Sequence, residues 1–232
     1  DNINDLINIE NNFLENLNGT IIRDKNYYEN LFKEVESEDG HIYIHEDELK
    51  DGYIIYFINN ENIFVRELYY NNLNALKGIL RFLYNHNTQC KKVTISSPID
   101  DKIRFILSNP KTANIKLKPF MMGRVINFKK YLESLNIKSN ENLSINISVK
   151  DDFIKENNKI FKIHLNNNKL NVESGDYISD VEFNINTITQ LAFSYINGKE
   201  AYLLNDLNEN KKVIEFLDLI FVKKENYINE YI

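Results

Sequence analysis

Between Gly52 and Ser96 the spacing of apolar positions changes repeatedly, and each change predicts an element. Gly52 to Ile58 is apolar at nearly every position, the pattern of a strand covered on both faces, and predicts the central strand of a sheet. The polar turn Asn59-Asn60-Glu61 leads into Asn62 to Leu68, so the two runs read as an antiparallel hairpin. From Leu73 the period lengthens. Leu73, Leu76, Ile79, Leu80 and Leu83 form one helical stripe that ends by Asn85, with Lys77 and Arg81 outside it. Gly78 inside this helix costs about 1 kcal/mol relative to Ala and predicts a close approach of helix to sheet. The β-branched run Lys92 to Ser96 then implies a parallel strand reached by a right-handed crossover.

Upstream, Ile3 to Leu17 carries apolar residues at helical spacing and Asn18-Gly19 supplies a stop. A second helix runs through Leu31 and Phe32, and His41 to His45 alternates as a half-exposed strand beside the central one. Downstream, Lys102 to Leu107 predicts a short helix, Ile115 to Lys118 and Met121 to Phe128 two strands, and Phe128 to Leu135 a helix. The polar segment Asn136 to Asn142 is the expected boundary, giving domains over 1–137 and 143–232. Beyond it, Leu143 to Val149, Ile160 to Leu165, Lys169 to Val172 and Val181 to Ile185 read as four strands. Thr187-x-x-Gln190 reads as a capping box opening a helix that Asn197-Gly198 closes, and a last helix spans Lys211 to Phe221. The second half is thus strands first and helices afterwards, an α+β arrangement after an α/β one.

A hairpin whose second strand feeds a helix and then a parallel strand resembles the core of the GNAT acyltransferase fold. In active GNAT domains a glycine-rich strand-to-helix turn holds the acyl-CoA pyrophosphate on backbone N–H groups and the helix N-terminus. Here the turn reads Tyr69-Tyr70-Asn71-Asn72-Leu73-Asn74. No two of the seven glycines are separated by a single residue, and no basic residue lies between Arg66 and Lys77. These residues predict a turn without a phosphate cradle, and so no cofactor on this chain.

Composition narrows the function classes. With 43% hydrophobic and 27% charged residues the 232-residue chain has a globular make-up. A net charge of -6 argues against nucleic-acid binding by phosphate neutralisation and leaves room for a cationic small molecule. The single Cys90 excludes an internal disulfide and fits a reducing cytoplasm. No apolar run approaches the roughly 18–20 residues of a membrane span, so no membrane partner is expected.

The chain as a whole resembles the later part of the Eis-like GNAT N-acetyltransferases. The resemblance is carried by Asn18-Gly19-Thr20-Ile21-Ile22-Arg23-Asp24 with Tyr27-Tyr28, Gly52-Tyr53-Ile54-Ile55-Tyr56, Val65-Arg66-Glu67-Leu68 and Leu80-Arg81-Phe82-Leu83. It continues in Val149-Lys150-Asp151-Asp152-Phe153 with Asn157-Asn158, and in Leu217-Asp218-Leu219-Ile220-Phe221. It implies a degenerate, second GNAT-like domain followed by a domain of sterol-carrier-protein-2 type. The catalytic GNAT domain, which binds acetyl-CoA, is then expected upstream of Asp1.

By the same resemblance the intact protein is a bacterial, cytoplasmic N-acetyltransferase acting on an amine-bearing small molecule or peptide. It is a homo-oligomer, trimeric or hexameric, and this chain alone is inactive. The resemblance makes the carboxylate of Ile232 a catalytic group that helps deprotonate the acceptor amine, with Tyr231 beside it. A terminal carboxyl is an ordinary acid unless burial raises its pKa. Tyr27 and Tyr28 match positions near the acceptor pocket, where an aromatic ring stacks on a cation; they equally fit the packing of a helix onto the sheet.

Other constellations have plainer readings. His41 and His45 share a strand face near Glu46 and Asp47, which alternation on a solvated face explains better than a metal, and no metal is expected. Asp100-Asp101 and Asp151-Asp152 read as turn and cap residues. The alternative function is binding of a lipid or other hydrophobic ligand in the second domain, lined by Leu191, Phe193, Tyr195, Ile196, Leu203 and Leu204.

Overall fold

The computed structural model describes residues 2–119 and 121–230. The chain forms two compact units, residues 1–118 with 225–232 and residues 119–224. The first opens with helix α1 (Asn2–Leu14), a two-residue strand β1 (Leu17–Asn18) and helix α2 (Lys25–Ser37). Strands β2 (His41–Glu46), β3 (Lys50–Asn59) and β4 (Asn62–Tyr70), helix α3 (Leu73–Tyr84), strand β5 (Lys92–Ile95) and the short helix α4 (Ile103–Ile106) follow.

The sheet runs β2-β3-β4-β5, with β4 and β5 parallel and the other pairs antiparallel. The central strand is covered on both sides as its pattern predicts. Tyr53 and Ile55 pack against α1 and α2, whereas Ile54 and Tyr56 pack against α3. The α3 stripe buries Ala75, Leu76, Ile79 and Leu83, each large residue contributing about 1.5–3 kcal/mol. The hairpin turn is tighter than its polar run suggests. Asn60 and Glu61 alone form it, both at positive φ (47° and 64°), the arrangement that matches the twist of the flanking strands.

The second unit begins with helix α5 (Phe128–Ser134) and strands β6 (Leu143–Lys150), β7 (Ile160–Asn166), β8 (Lys169–Ser174) and β9 (Val181–Asn184). Helices α6 (Ile185–Ala192), α7 (Gly198–Leu204) and α8 (Lys211–Ile220) complete it. Its sheet has the order β8-β7-β6-β9, with β9 parallel to β6. One face packs on the helices, and its alternating buried residues, such as Ile145, Ile147 and Val149, form the second core. The chain then returns to the first unit, where strand β10 (Glu225–Asn226) pairs parallel with β1.

Several expectations change. Residues 115–118 and 121–127 join neither sheet, so the two strands placed there do not form. Ile115, Leu117, Met122 and Ile126 stay exposed for want of a sheet edge. Helix α6 starts at Ile185 under the Asn184 cap, and the Thr187-x-x-Gln190 box is not used. The capping box belongs instead to Asn197 and Glu200, which open α7 where a helix stop was expected. Gly198 is required there by packing: a Cβ would lie 2.9 Å from the Ile214 carbonyl oxygen of α8.

The units also divide earlier than the polar segment 136–142. Phe128 and Leu132 of α5 and the nearby Val125 sit in the second core, and Asp151 ties this segment down. Its carboxylate accepts from the Phe153 and Ile154 amides (3.0 and 2.9 Å) and from Asn157 Nδ2 (3.0 Å), and pairs with Arg124. Asn157 in turn accepts from the Phe128 amide and donates to the Ile126 carbonyl, both at 3.0 Å. Burial opposes ionisation of Asp151, but the Asn157, Ile154 and Phe153 hydrogen bonds and the Arg124 charge outweigh it and hold the carboxyl at about 2.

Asp151→Ala should therefore destabilise the second unit by roughly 3 kcal/mol, measured by urea denaturation at neutral pH. Because the folded-state pKa lies below the unfolded value near ~3.9, the contribution is complete above that value. It is lost as pH falls through about 2, so the variant should show the shallower acid limb of stability against pH.

Candidate functional site

Two places in the first unit carry chemistry: the gap between β4 and β5, and a buried polar cluster beneath α2. The gap arises because β5 pairs only with Asn62 to Val65 of β4. Beyond Val65 the pairing of β4 with β5 ends, and Glu67 to Tyr70 run on past its last paired position. At the far end the Tyr70 hydroxyl lies 3.4 Å from Asp101 Oδ1. Asp101 caps α4 through the Ile103 amide (2.8 Å), and burial pushes its carboxyl up.

At the mouth of the gap the turn into α3 is closed by its own side chains. Asn72 Oδ1 accepts from the Ala75 amide (2.9 Å), and Asn72 Nδ2 donates to Asp51 Oδ2 (2.6 Å). The other Asp51 oxygen is 2.7 Å from His45 Nδ1, and the Asp51 carbonyl accepts from the Asn71 amide (2.8 Å). Burial raises the Asp51 carboxyl, but its bonds to His45 and Asn72 prevail and hold it below the usual range. The Cδ2–Nε2 edge of the His45 ring packs on Gly78, where a Cβ would come within 2.2 Å of it. That contact explains the helical glycine.

The buried cluster is organised by Arg23. Its Nη1 pairs with Glu10 Oε1 at 3.1 Å and Glu67 Oε2 at 3.0 Å, and its Nη2 donates to the backbone carbonyl of Asn229. All three side chains are at most 4% exposed. The Tyr28 hydroxyl donates to Glu10 Oε2 and lies 2.9 Å from the Tyr53 hydroxyl. A bulge delivers Glu67: Ile55 faces Glu67 while Tyr56 faces Val65, so Arg66 is the extra residue. Arg66 pairs with Glu34 of α2 at 2.7 Å, so both charged neighbours address the α2 side, which a regular strand does not allow.

Electrostatically the cluster holds two carboxylates against one guanidinium. Burial works against the charged Arg23, yet Glu67, Tyr69 and Glu10 hold it protonated well above its usual range. Burial pushes the Glu67 carboxyl up in spite of Arg23, and Glu67 Oε1 has no partner among the described residues. The chain's last described residues border this cluster. Tyr27 stacks under the Arg23 guanidinium at 4.7 Å, and its hydroxyl donates to the Glu230 carboxylate, 3.0 Å from each oxygen. Burial and Glu230 push the Tyr27 hydroxyl up to about 12.

Residues 19–125 match the family model of an acetyltransferase (GNAT) domain, and residues 128–229 match that of a sterol carrier protein domain. In fold the chain is thus a GNAT-like domain followed by one like a sterol carrier protein domain. The comparison with curated proteins gave no match. Among solved structures it is similar to a conserved protein of unknown function from Enterococcus faecalis, a probable N-acyltransferase, at TM-score 0.79 and 22% identity over 97% of this chain and 58% of that one. It is also similar to a GCN5-related N-acetyltransferase from Anabaena variabilis, at TM-score 0.75 and 19% identity over 99% and 60%. A third is Eis1 from Mycobacterium abscessus, at TM-score 0.61 and 14% identity over 90% and 55%. At these identities the likeness is one of fold, and the chain spans less than two thirds of each of those proteins.

A GNAT domain implies acetyl-CoA, but the turn into α3 does not fit its pyrophosphate. The amide that would face the phosphate is capped by Asn72, and the Asp51 carboxylate beside it repels a second anion. Of the residues singled out in the sequence, Tyr28 is fully buried, with its hydroxyl bound inside the polar cluster. Tyr27 is partly exposed next to the returning chain, and Tyr231 and Ile232 lie outside the described residues. In the sterol carrier domain the six apolar residues share no chamber: Leu191 and Ile196 are core residues, and Phe193, Tyr195, Leu203 and Leu204 are surface residues. Among the described residues no group of His, Cys, Asp and Glu is arranged to hold a metal, and no helix is long and apolar enough to cross a membrane.

Glu10, Glu67, Asn229 and Glu230 escaped the sequence reading. Arg23 and Glu67 lie within the stretches that carry the family resemblance, but Asn229 is one asparagine in an asparagine-rich chain. The His45 and Gly78 pairing is open to test. Gly78→Ala should cost about 1–3 kcal/mol by overpacking, and adding His45→Ala should recover most of that loss in a double-mutant cycle read by thermal unfolding.

Proposed function

We propose that this chain is the part of an acetyl-CoA-dependent N-acetyltransferase that does not hold the cofactor. Its GNAT domain shapes the acceptor side of a site whose coenzyme is bound by another GNAT domain of the same protein. The observation that carries this reading is the pairing of a GNAT strand gap with a turn already occupied by Asn72, Asp51 and His45. The fold is like that of acetyltransferases, and the start of its α3 helix is capped by Asn72, with the Asp51 carboxylate held beside it.

Within that reading the end of the chain supplies the base. An amine acceptor arrives as an ammonium and must lose a proton before its lone pair attacks the thioester carbonyl; a carboxylate within hydrogen-bond reach takes that proton. We assign this role to the carboxylate of Ile232, with Tyr231, Tyr27 and Glu230 bordering the acceptor. Tyr28 acts behind them by holding Glu10 in the Arg23 cluster. The negative charges suit a cationic amine, whether small molecule or peptide, and the sterol carrier domain serves assembly into an oligomer.

Residues 1–232 alone should show no heat of binding with acetyl-CoA in calorimetry and no thioester consumption; measurable turnover by this chain would sink the reading. In the protein that joins this chain to a coenzyme-binding domain, one residue appended after Ile232 moves the terminal charge by about 3.5 Å. The expected result is a fall in kcat of about 100-fold with the fold retained by circular dichroism. An undiminished kcat would remove the terminal carboxylate from the mechanism.

A further inference from the structure

The two carboxyl groups of the buried cluster are served unequally. Glu10 accepts a hydrogen bond on each oxygen, Oε1 from Asn229 Nδ2 (2.9 Å) and Oε2 from the Tyr28 hydroxyl, and its Oε1 also lies 3.1 Å from Arg23 Nη1. Glu67 accepts from Arg23 Nη1 on Oε2 (3.0 Å), and its Oε1 is buried with no partner among the described residues. The tyrosines do not make up the difference. A hydroxyl has one proton to give; that of Tyr28 goes to Glu10, so in the 2.9 Å contact between Tyr28 and Tyr53 it is Tyr53 that donates. The Tyr53 proton is spent there and not on Glu67 Oε2, 3.5 Å away.

The charges point the same way. With both carboxyls ionised, one guanidinium would face two carboxylates out of water, and a charged oxygen of Glu67 would be left dry, a costly arrangement. The other groups facing Glu67 do not cancel that charge. Arg66, its neighbour on β4, is paired with Glu34. Tyr69 of β4, Tyr53 of β3, Tyr27 and Tyr28 of α2 and Tyr227 of the returning segment are phenols that burial keeps neutral. Glu230, bound to Tyr27 at the edge of the cluster, adds only negative charge.

We propose that Glu67 is the member of the pair that carries a proton, and that this proton is a latch on the returning segment. While it is present residues 227–229 stay docked, and its loss as pH rises loosens them. The segment shields the cluster: Tyr227 packs against the core that holds Tyr53 and Tyr69, and Asn229 is bound by both Arg23 and Glu10. An ionised Glu67 gains from water that enters as the segment lifts, so proton loss and release favour each other. Burial holds the folded-state carboxyl above its unfolded value. Its contribution is therefore complete below the ordinary glutamate pKa and is lost as pH rises through the raised one. Arg23 carries the change outward, because it stacks on Tyr27, which holds Glu230.

Glu67→Gln keeps the shape of the protonated side chain and cannot ionise. It is compared with the wild-type chain by infrared difference spectroscopy and amide hydrogen exchange. The wild type should show a protonated-carboxyl band at neutral pH that is lost in Glu67→Gln. Exchange is followed at the Tyr227 and Ile21 amides, which donate to the Asn18 carbonyl and to Asn229 Oδ1. From mildly acidic to alkaline pH their protection, corrected for the intrinsic exchange rate, should fall at least about tenfold in the wild type and stay level in Glu67→Gln. Three results would each overturn the proposal: no such band, protection that falls no further in the wild type than in the variant, or a variant that cannot fold without the charge.

Discussion

A guanidinium removed from water between two carboxylates and a backbone carbonyl is the constraint on which the first unit depends. Removing a charge from solvent costs several kcal/mol, and Arg23 recovers that only because Glu10 of α1, Glu67 of β4 and the Asn229 carbonyl converge on it. Each contributor comes from a different part of the chain, so this one group couples a helix, the sheet and the returning segment. The bulge at Arg66 is part of the same arrangement, because it turns Glu67 toward the guanidinium.

The other side of the sheet obeys a similar rule with the opposite sign. The N-terminus of α3 attracts negative charge by its dipole and its free amides. Here Asn72 and Asp51 satisfy that demand from within the chain, and His45 holds Asp51 in place while resting on Gly78. The strand order is GNAT-like, and the start of α3 is capped by the chain's own Asn72 with the Asp51 carboxylate behind it. The gap between β4 and β5 and the closed turn into α3 thus lie side by side on this face.

Much of this was legible in the sequence because it depends on local periodicity. The central strand, the hairpin, the α3 stripe and the strands of the second unit follow from spacing alone, and the absent glycines flagged the turn into α3. What spacing hides is contact between distant residues. Leu17 and Asn18 read as the tail of a helix, yet they pair with Glu225 and Asn226 at the other end of the chain. Residues 115–118 and 121–127 show the converse failure: their apolar residues suit strands, but among the described residues they pair with no strand of either sheet. Asparagines at 60, 167 and 168 occupy left-handed turn positions, so the abundance that hid Asn229 is partly conformational.

The return of the chain makes the second unit an insertion within the first. A ribosome releases Glu10, Arg23 and Glu67 long before Asn229, and the whole second unit emerges in between. During synthesis the guanidinium must therefore wait, half matched, for a partner that arrives last. Completion of the earlier domain is a report that translation has run through the later one.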